Sequence, residues 1–401
     1  MSIEVPEITP LSRILPEEPL LMMGAGPVPI PAQVAAANGI VINHLGDTMA
    51  RVLEQVKAMA RYIFQTESPW VVGVAGPGSA AMEMAVANLV WQKAKVLCIH
   101  NGFFSNRLAE MAKRAGAEVE LLSIPEGLAA DPSVVEAAIE RFQPEVVTIV
   151  QGETSNTVHN YTLPTISEIA RKHNAYIVVD AVCTLSTMPL KMDEWGIDAV
   201  ITGGQKGLSS IPGVSLVAFS ERAWQRILSR PQQITQWTLD AQLATNFWHK
   251  AGYHYTAPVS GLLALHEAMR LVCKETLEKR FSRHRHCSHA LQAGITALGL
   301  SLYVQQAEAR LDSVVGIRLP DGVDSKTLCQ HISRHYRVEI AGSFGPPIVR
   351  IGQMGEQCRA HHLFRALHAL GCTLRDLRVP VDVPAGMAQL EVQLQVYRNE
   401  V

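Results

Sequence analysis

An α/β fold built on a mainly parallel seven-stranded sheet, followed in the chain by a smaller α+β domain, is predicted by two features of the sequence. Seven short, apolar, β-rich runs lie between residues 70 and 219, and amphipathic helical stretches separate several of them. Runs that are apolar on both faces and alternate with helices suit parallel strands covered above and below. Beyond residue 296 the pattern changes to shorter alternations of strand and helix. The expected division is an arm over 1–20, with prolines at 6, 10 and 16, a large domain over 21–285 and a small domain over 286–401.

In chain order the runs are WVVGVA (70–75), KVLCIH (95–100), VELLSI (119–124), VVTIVQ (146–151), AYIVVD (175–180), DAVITG (198–203) and VSLVAF (214–219). Helical periodicity falls on 79–93, 104–115, 131–142 and 165–173, and a long helical tract covers 258–296. The small domain reads as LSLYVQ, SVVGIRLP, a helix near 325–335, RVEIAG, IVRIGQ and a helix near 358–370. No internal repeat is visible.

Composition narrows the function. The 401 residues are 48% hydrophobic and 18% charged with a net charge of -2, which gives no reason to expect nucleic acid or a membrane as partner. Seven scattered cysteines without a C-x-x-C pair argue against a disulfide framework or a zinc site. No secretory signal or membrane-spanning run stands out, so a cytoplasmic protein is expected. The run RHRHCSH (283–289) mixes helix faces and has no acidic ligand nearby in sequence. It reads as a solvated helix, and no metal is expected.

Ligands of such sheets sit outside the carboxyl ends of the strands, so the residues that follow each run matter most. WVVGVA leads to Gly76-Pro77-Gly78-Ser79 and a helix, either a phosphate cradle of free N–H groups or a plain tight turn. KVLCIH leads to Phe104, a core residue or a shelf for a ring. VVTIVQ leads to Gly152-Glu153-Thr154-Ser155-Asn156, whose hydroxyls hold a ligand or cap a turn. AYIVVD ends on Asp180, a carboxylate that is costly to bury without a cation beside it. DAVITGG then delivers Gln205 and Lys206.

These pieces explain one another through one cofactor. A lysine at a strand-end turn can form a Schiff base with an aldehyde, an aspartate can hold a protonated pyridine nitrogen, and a glycine–serine helix start can hold a phosphate. Pyridoxal phosphate carries all three groups. Phe104 then covers one face of its ring and Val182 the other. A purely structural lysine is the competing reading of Lys206 alone.

At this point the chain resembles the fold-type I, class V aminotransferases of the alanine–glyoxylate and serine–glyoxylate group. The resemblance runs from LLMMGAGPVPIP to RALHALG. It is carried by Gly26-Pro27, Gly-x-Gly-Ser at 76–79, Gly152-Glu153-Thr154-Ser155, Val179-Asp180-Ala181-Val182, Gln205-Lys206, Tyr253-x-x-Thr256 and Val349-Arg350-Ile351-Gly352. It implies a pyridoxal phosphate enzyme that moves an amino group from a small amino donor to an oxo acid. Lys206 is then the Schiff-base lysine, Asp180 the partner of the ring nitrogen, and Ser155 the contact of the phenolic oxygen. Gly78, Ser79 and Gln205 bind the phosphate, joined by Tyr253 and Thr256 from the other subunit of a homodimer with shared active sites. Arg350 grips the substrate carboxylate, with Gly26, His44, Ser155 and Tyr253 around the substrate. Read without the resemblance, His44 is a pocket residue or part of a turn beside Asp47. Relatives commonly stack a tryptophan on the ring where this chain has Phe104.

Within the group, MDEWGIDA (192–199), QKGLSSIPG (205–213), the stretch 282–300 and RIGQMGEQCR (350–359) look most like ureidoglycine–glyoxylate aminotransferases of purine breakdown. The positions aligned with the glutamine and partner-chain asparagine that read the ureido group there hold His44 and Tyr253, closer to the general glyoxylate enzymes. Pro77 stands where pyridoxamine–pyruvate relatives carry a glutamate, and Gln205 where cysteine desulfurases carry a histidine. A cofactor-binding regulator on the same fold needs an attached DNA-binding domain, for which the arm before residue 20 is too short. Ureidoglycine leads as the amino donor, with alanine or serine as the alternative and glyoxylate or pyruvate as the acceptor.

Overall fold

The computed structural model describes residues 3–400, the side chains of 397–400 excepted. All seven runs form strands of one sheet: β1 (Val71–Ala75), β2 (Lys95–His100), β3 (Glu118–Ser123), β4 (Val146–Val150), β5 (Tyr176–Asp180), β6 (Ala199–Gly203) and β7 (Val214–Phe219). Their spatial order is β1-β7-β6-β5-β4-β2-β3. Every neighbouring pair is parallel except the two made by β7, which is antiparallel to both β1 and β6. Antiparallel neighbours can be joined directly, whereas parallel ones need a crossover. The segment 204–213 returns straight from β6 to β7, and that direct return carries Lys206.

The central strands β4, β6 and β7 are buried at every position, as their unbroken apolar sequence requires. The edge strand β3 is half-exposed and alternates charge with apolar residues. Helices Gly78–Leu89 and Phe103–Arg114 start at the carboxyl ends of β1 and β2. The first drives Ala81, Met82, Ala85, Val86 and Leu89 into the core. Each large apolar side chain buried in this way contributes about 1.5–3 kcal/mol.

The smaller unit is a three-stranded antiparallel sheet with β10 (Ile348–Gly352) between β8 (Val314–Arg318) and β9 (Ala341–Gly342). Helices Leu277–Ala297, Ser325–Tyr336, Ala360–Asp376 and Val383–Glu400 accompany it, around a second core that includes Leu291, Ile351, Leu367 and Leu390. Leu21–Met22 pairs in parallel with Val338–Glu339, and Leu21 and Met23 belong to this second core. Helix Leu277–Ala297 runs through position 285, starting in the core of the large sheet at Leu277 and reaching the second core at Ile295.

Three expectations need correction. The tract 258–296 is two helices, Val259–Glu275 and Leu277–Ala297, broken at Thr276, whose φ is +70°. There the Leu277 N–H leaves the helical ladder and donates to the Tyr62 hydroxyl at 2.9 Å. LSLYVQ forms only an isolated bridge, Leu302 to Ile317.

RHRHCSH is not a solvated helix face, because Arg283, His284, Cys287 and Ser288 are buried. Glu275, on the preceding helix, makes that burial tolerable. It pairs with Arg283 at 2.5 Å and with the buried Arg280 at 2.7 Å. Other guanidinium N–H groups donate to carbonyls, Arg280 to Gly207, one residue after Lys206, and Arg283 to Gly355 and Cys358, while Arg280 Nε donates to Ser186 Oγ at 3.4 Å.

Candidate active site

One cavity of about 340 Å³ opens at the carboxyl ends of the sheet. Gly26, Gly78, Ser79, Phe104, Asp180, Val182, Gln205 and Lys206 all line it. They arrive from five separate stretches of sequence, which only the strand order brings together.

Lys206 is held by its own turn. Its amide donates to Gly203 O, and its carbonyl accepts the Ser209 N–H at 2.8 Å. Next to it, Gln205 O accepts the Val28 N–H at 3.1 Å, tying the turn to the Gly26 segment. The ammonium donates to Ala25 O. Burial lowers the Lys206 pKa, with the Cys183 and Asp180 charges opposing and Arg350 and Arg107 assisting. Gly26 is required beside it: φ is +99°, and a Cβ there would lie 2.6 Å from Lys206 Nζ. A Cβ on Gly78 would likewise approach Val182, another lining residue, to 2.9 Å.

Asp180 is 4% exposed, and its Oδ1 accepts the Val182 N–H at 2.8 Å. Burial pushes its carboxyl up to about 7, against the Val182 hydrogen bond and the charges of Lys206 and Arg107, with Glu153 adding to the rise. Gln205 Oε1 is buried without a protein partner. A carboxyl kept from ionising by burial and an amide end without a partner are what a cavity shows when it is shaped for a polar, cationic group.

The remaining expected residues stand outside the cavity's wall. Ser155 lies behind it: its hydroxyl donates to Glu153 Oε1 at 2.5 Å and accepts the Phe103 N–H at 3.0 Å, so its one proton is already placed. Arg350 is buried, with Nε on Gly342 O at 2.8 Å and Nη1 on Thr154 O at 2.6 Å. Nη2 also donates to Gly342 O, which leaves one N–H on each terminal nitrogen. Burial lowers the Arg350 pKa to about 10, against the Glu153 charge. His44 meets the Tyr253 ring edge-on at 5.9 Å, and its Nε2 is buried without a partner among the described residues. Tyr253 is 59% exposed, and Thr256 is exposed as well.

Two residues that had not been assigned a role shape the site. Glu153, fully buried, accepts N–H bonds from Phe104, Ser105 and Ser155 at 2.9–3.2 Å and so fixes the start of helix Phe103–Arg114. Arg107 lines the cavity, donates to Ser79 Oγ at 2.6 Å and lies 4.9 Å from the Phe104 ring centre. The sequence holds a signal for Arg107, since it sits one helical turn past Phe103 and Phe104 and shares their face.

The family model for class V aminotransferases matches residues 32–362. This chain is a class V aminotransferase. The alanine–glyoxylate aminotransferase of Drosophila melanogaster is 32% identical over 94% of this chain and 98% of its own length. The (S)-ureidoglycine–glyoxylate transaminase of Bacillus subtilis is 33% identical over 94% and 95%. Among solved structures, the ureidoglycine–glyoxylate aminotransferase of B. subtilis superposes with a TM-score of 0.91 at 31% identity, covering 95% of this chain and 99% of that one. The pyridoxamine–pyruvate aminotransferase of Mesorhizobium loti gives 0.90 at 25%, covering 95% and 99%. The aminotransferase therefore has the fold-type I architecture and works with pyridoxal phosphate, for which the cavity offers an amine, a buried carboxyl and a helix start.

Proposed function

We propose that the aminotransferase carries an amino group from a small α-amino donor, ureidoglycine first among the candidates, to glyoxylate. The convergence of Lys206, Asp180 and Gln205 on one cavity carries the reading, and the choice of acceptor is supported by the relatives, whose names share glyoxylate. Alanine or serine is the second reading of the donor, favoured by His44 and Tyr253, whose rings meet edge-on. Pyruvate is the second acceptor.

When bound, pyridoxal phosphate supplies an aldehyde that carries the amino group and a protonated ring that takes up the electrons freed at the α-carbon. Asp180 keeps the ring nitrogen protonated, and the pairing lets its own carboxylate ionise. Lys206 Nζ is the amine that would hold the cofactor's aldehyde, and the same amine would move the proton at the substrate's α-carbon. Its burial favours the neutral amine this work needs. Phe104 and Val182 would flank the ring, and Gly78, Ser79 and Gln205 would hold the phosphate. Arg350 turns its two free N–H groups to the substrate carboxylate. Ser155 acts at the phenolic oxygen through a change in its present hydrogen bonds.

Tyr253 and Thr256, exposed in the single chain, complete the phosphate site of a partner subunit in a homodimer. We place the reaction in the cytoplasm, in line with seven free cysteines, and in purine breakdown if ureidoglycine is the donor. No helix among the described residues is long and apolar enough to cross a membrane. Incubation with fresh ureidoglycine and glyoxylate, followed for oxalurate and glycine, tests the donor. Brisk alanine or serine turnover without oxalurate rejects ureidoglycine.

A further inference from the structure

We propose that Arg107 is a positioning residue for the phosphate end of the cofactor site: it orients Ser79, backs Phe104 and sets a full positive charge against the phosphate. The inference rests on the reading of the cavity given above. A phosphate monoester carries between one and two negative charges near neutral pH. Gly78, Ser79, Gln205, Tyr253 and Thr256, which we assign to it, are all neutral, and a helix start offers only about half a charge. Arg107 lines the same cavity, and its one hydrogen bond among the described residues goes to Ser79, in the first turn of helix Gly78–Leu89.

The direction of that bond matters. A hydroxyl has one proton to give and two lone pairs to offer. With an Arg107 N–H on one lone pair, the Ser79 proton is left for an oxyanion. The same guanidinium lies over Phe103 at 5.2 Å and Phe104 at 4.9 Å, so one side chain fixes both the phosphate-end hydroxyl and the ring shelf. The buried Oε1 of Gln205, an acceptor with no partner among the described residues, is independent evidence that this cavity is built for a ligand with polar groups of its own, one of them a donor.

The test compares binding of pyridoxal phosphate and of pyridoxal, which lacks the phosphate, to apoprotein by fluorescence quenching. Wild type is expected to prefer the phosphorylated form. In Arg107→Met that preference shrinks by about tenfold or more, the scale of one charged hydrogen bond, and its salt dependence flattens. Arg107→Lys keeps the charge without the planar fork and retains most of the preference. Equal losses for both ligands in Arg107→Met, or an unchanged ratio, overturn the proposal. Should Arg107→Met fail to fold, Ser79→Ala serves: an undiminished preference there overturns it too. A wild type that binds neither ligand overturns the reading of the cavity itself.

Discussion

Lys206 and Asp180 enter one cavity from adjacent strand ends, and burial moves their pKa values in opposite directions, favouring the neutral form of each. Lys206→Ala is expected to fold normally and to lose roughly 10²–10⁴-fold in turnover from proton transfer alone. Borohydride should then fix no cofactor to the protein; cofactor fixed to the Lys206→Ala chain would show that the attachment lies elsewhere. For Asp180 the sign follows from its raised carboxyl. The folded apoprotein holds a proton that the unfolded chain releases, so this residue's contribution to stability is lost as pH rises from about 4 through about 7. Apo Asp180→Asn should therefore melt higher than apo wild type at pH 8, by up to roughly 4 kcal/mol, and lose the advantage near pH 4. Cofactor should reverse the order, because only the carboxylate can pair with a ring N–H⁺; melting curves at both pH values with and without cofactor decide it. The place of both at the cavity was legible in the sequence, since Asp180 closes an apolar run and Lys206 follows three residues after another. The role of Glu153 was not, because it arises from its bonds to the start of a helix after a different strand, which no local pattern encodes; for Arg107 only the helical spacing from Phe103 and Phe104 was readable, not its bond to Ser79.

Among the elements, helix Leu277–Ala297 joins the loop after Lys206 to the strand-end loop after Arg350 through two arginines that share Glu275. Burial works against the Glu275 carboxylate, but the hydrogen bonds and charges of Arg283 and Arg280 outweigh it and hold its pKa down to about 2. This stabilisation is present above the unfolded carboxyl's range near 4.5 and fades as pH falls towards 2. Removing the acid leaves a guanidinium buried without compensation, a loss of about 3–5 kcal/mol. Glu275→Ala should accordingly lower the melting temperature at pH 7 far more than at pH 3, and a pH-independent loss would point to packing instead. In the sequence the tract 258–296 appears as one helix, with only 283–289 read as solvated. Periodicity reports which positions share a face, but it does not report that an acid from the preceding helix neutralises that face, nor that Thr276 breaks the run.

Across the whole molecule, all seven strands were readable because each is a short β-rich run, unbroken and apolar in the buried strands and alternating at the edge strand β3, whereas the direction of β7 was not, since a buried strand reads alike in either orientation. The exposure of Tyr253 and Thr256 outside the cavity bears on assembly. Mixing Lys206→Ala with Thr256→Ala subunits, then refolding, should return part of the activity that each alone lacks, because hybrid dimers contain one intact site. A protein that is active while monomeric by light scattering excludes shared sites.

The antiparallel placement of β7 also bears on synthesis at the ribosome. β1, which leads into the glycine–serine turn, is an edge strand bonded to β7 alone among the described strands, with Ala75 opposite Val214. A nascent chain that has not yet released Phe219 from the exit tunnel therefore has no place in the sheet for that turn. Stalled chains ending before β7 should fail to retain cofactor, while chains stalled well beyond it have every strand of the cradle in hand.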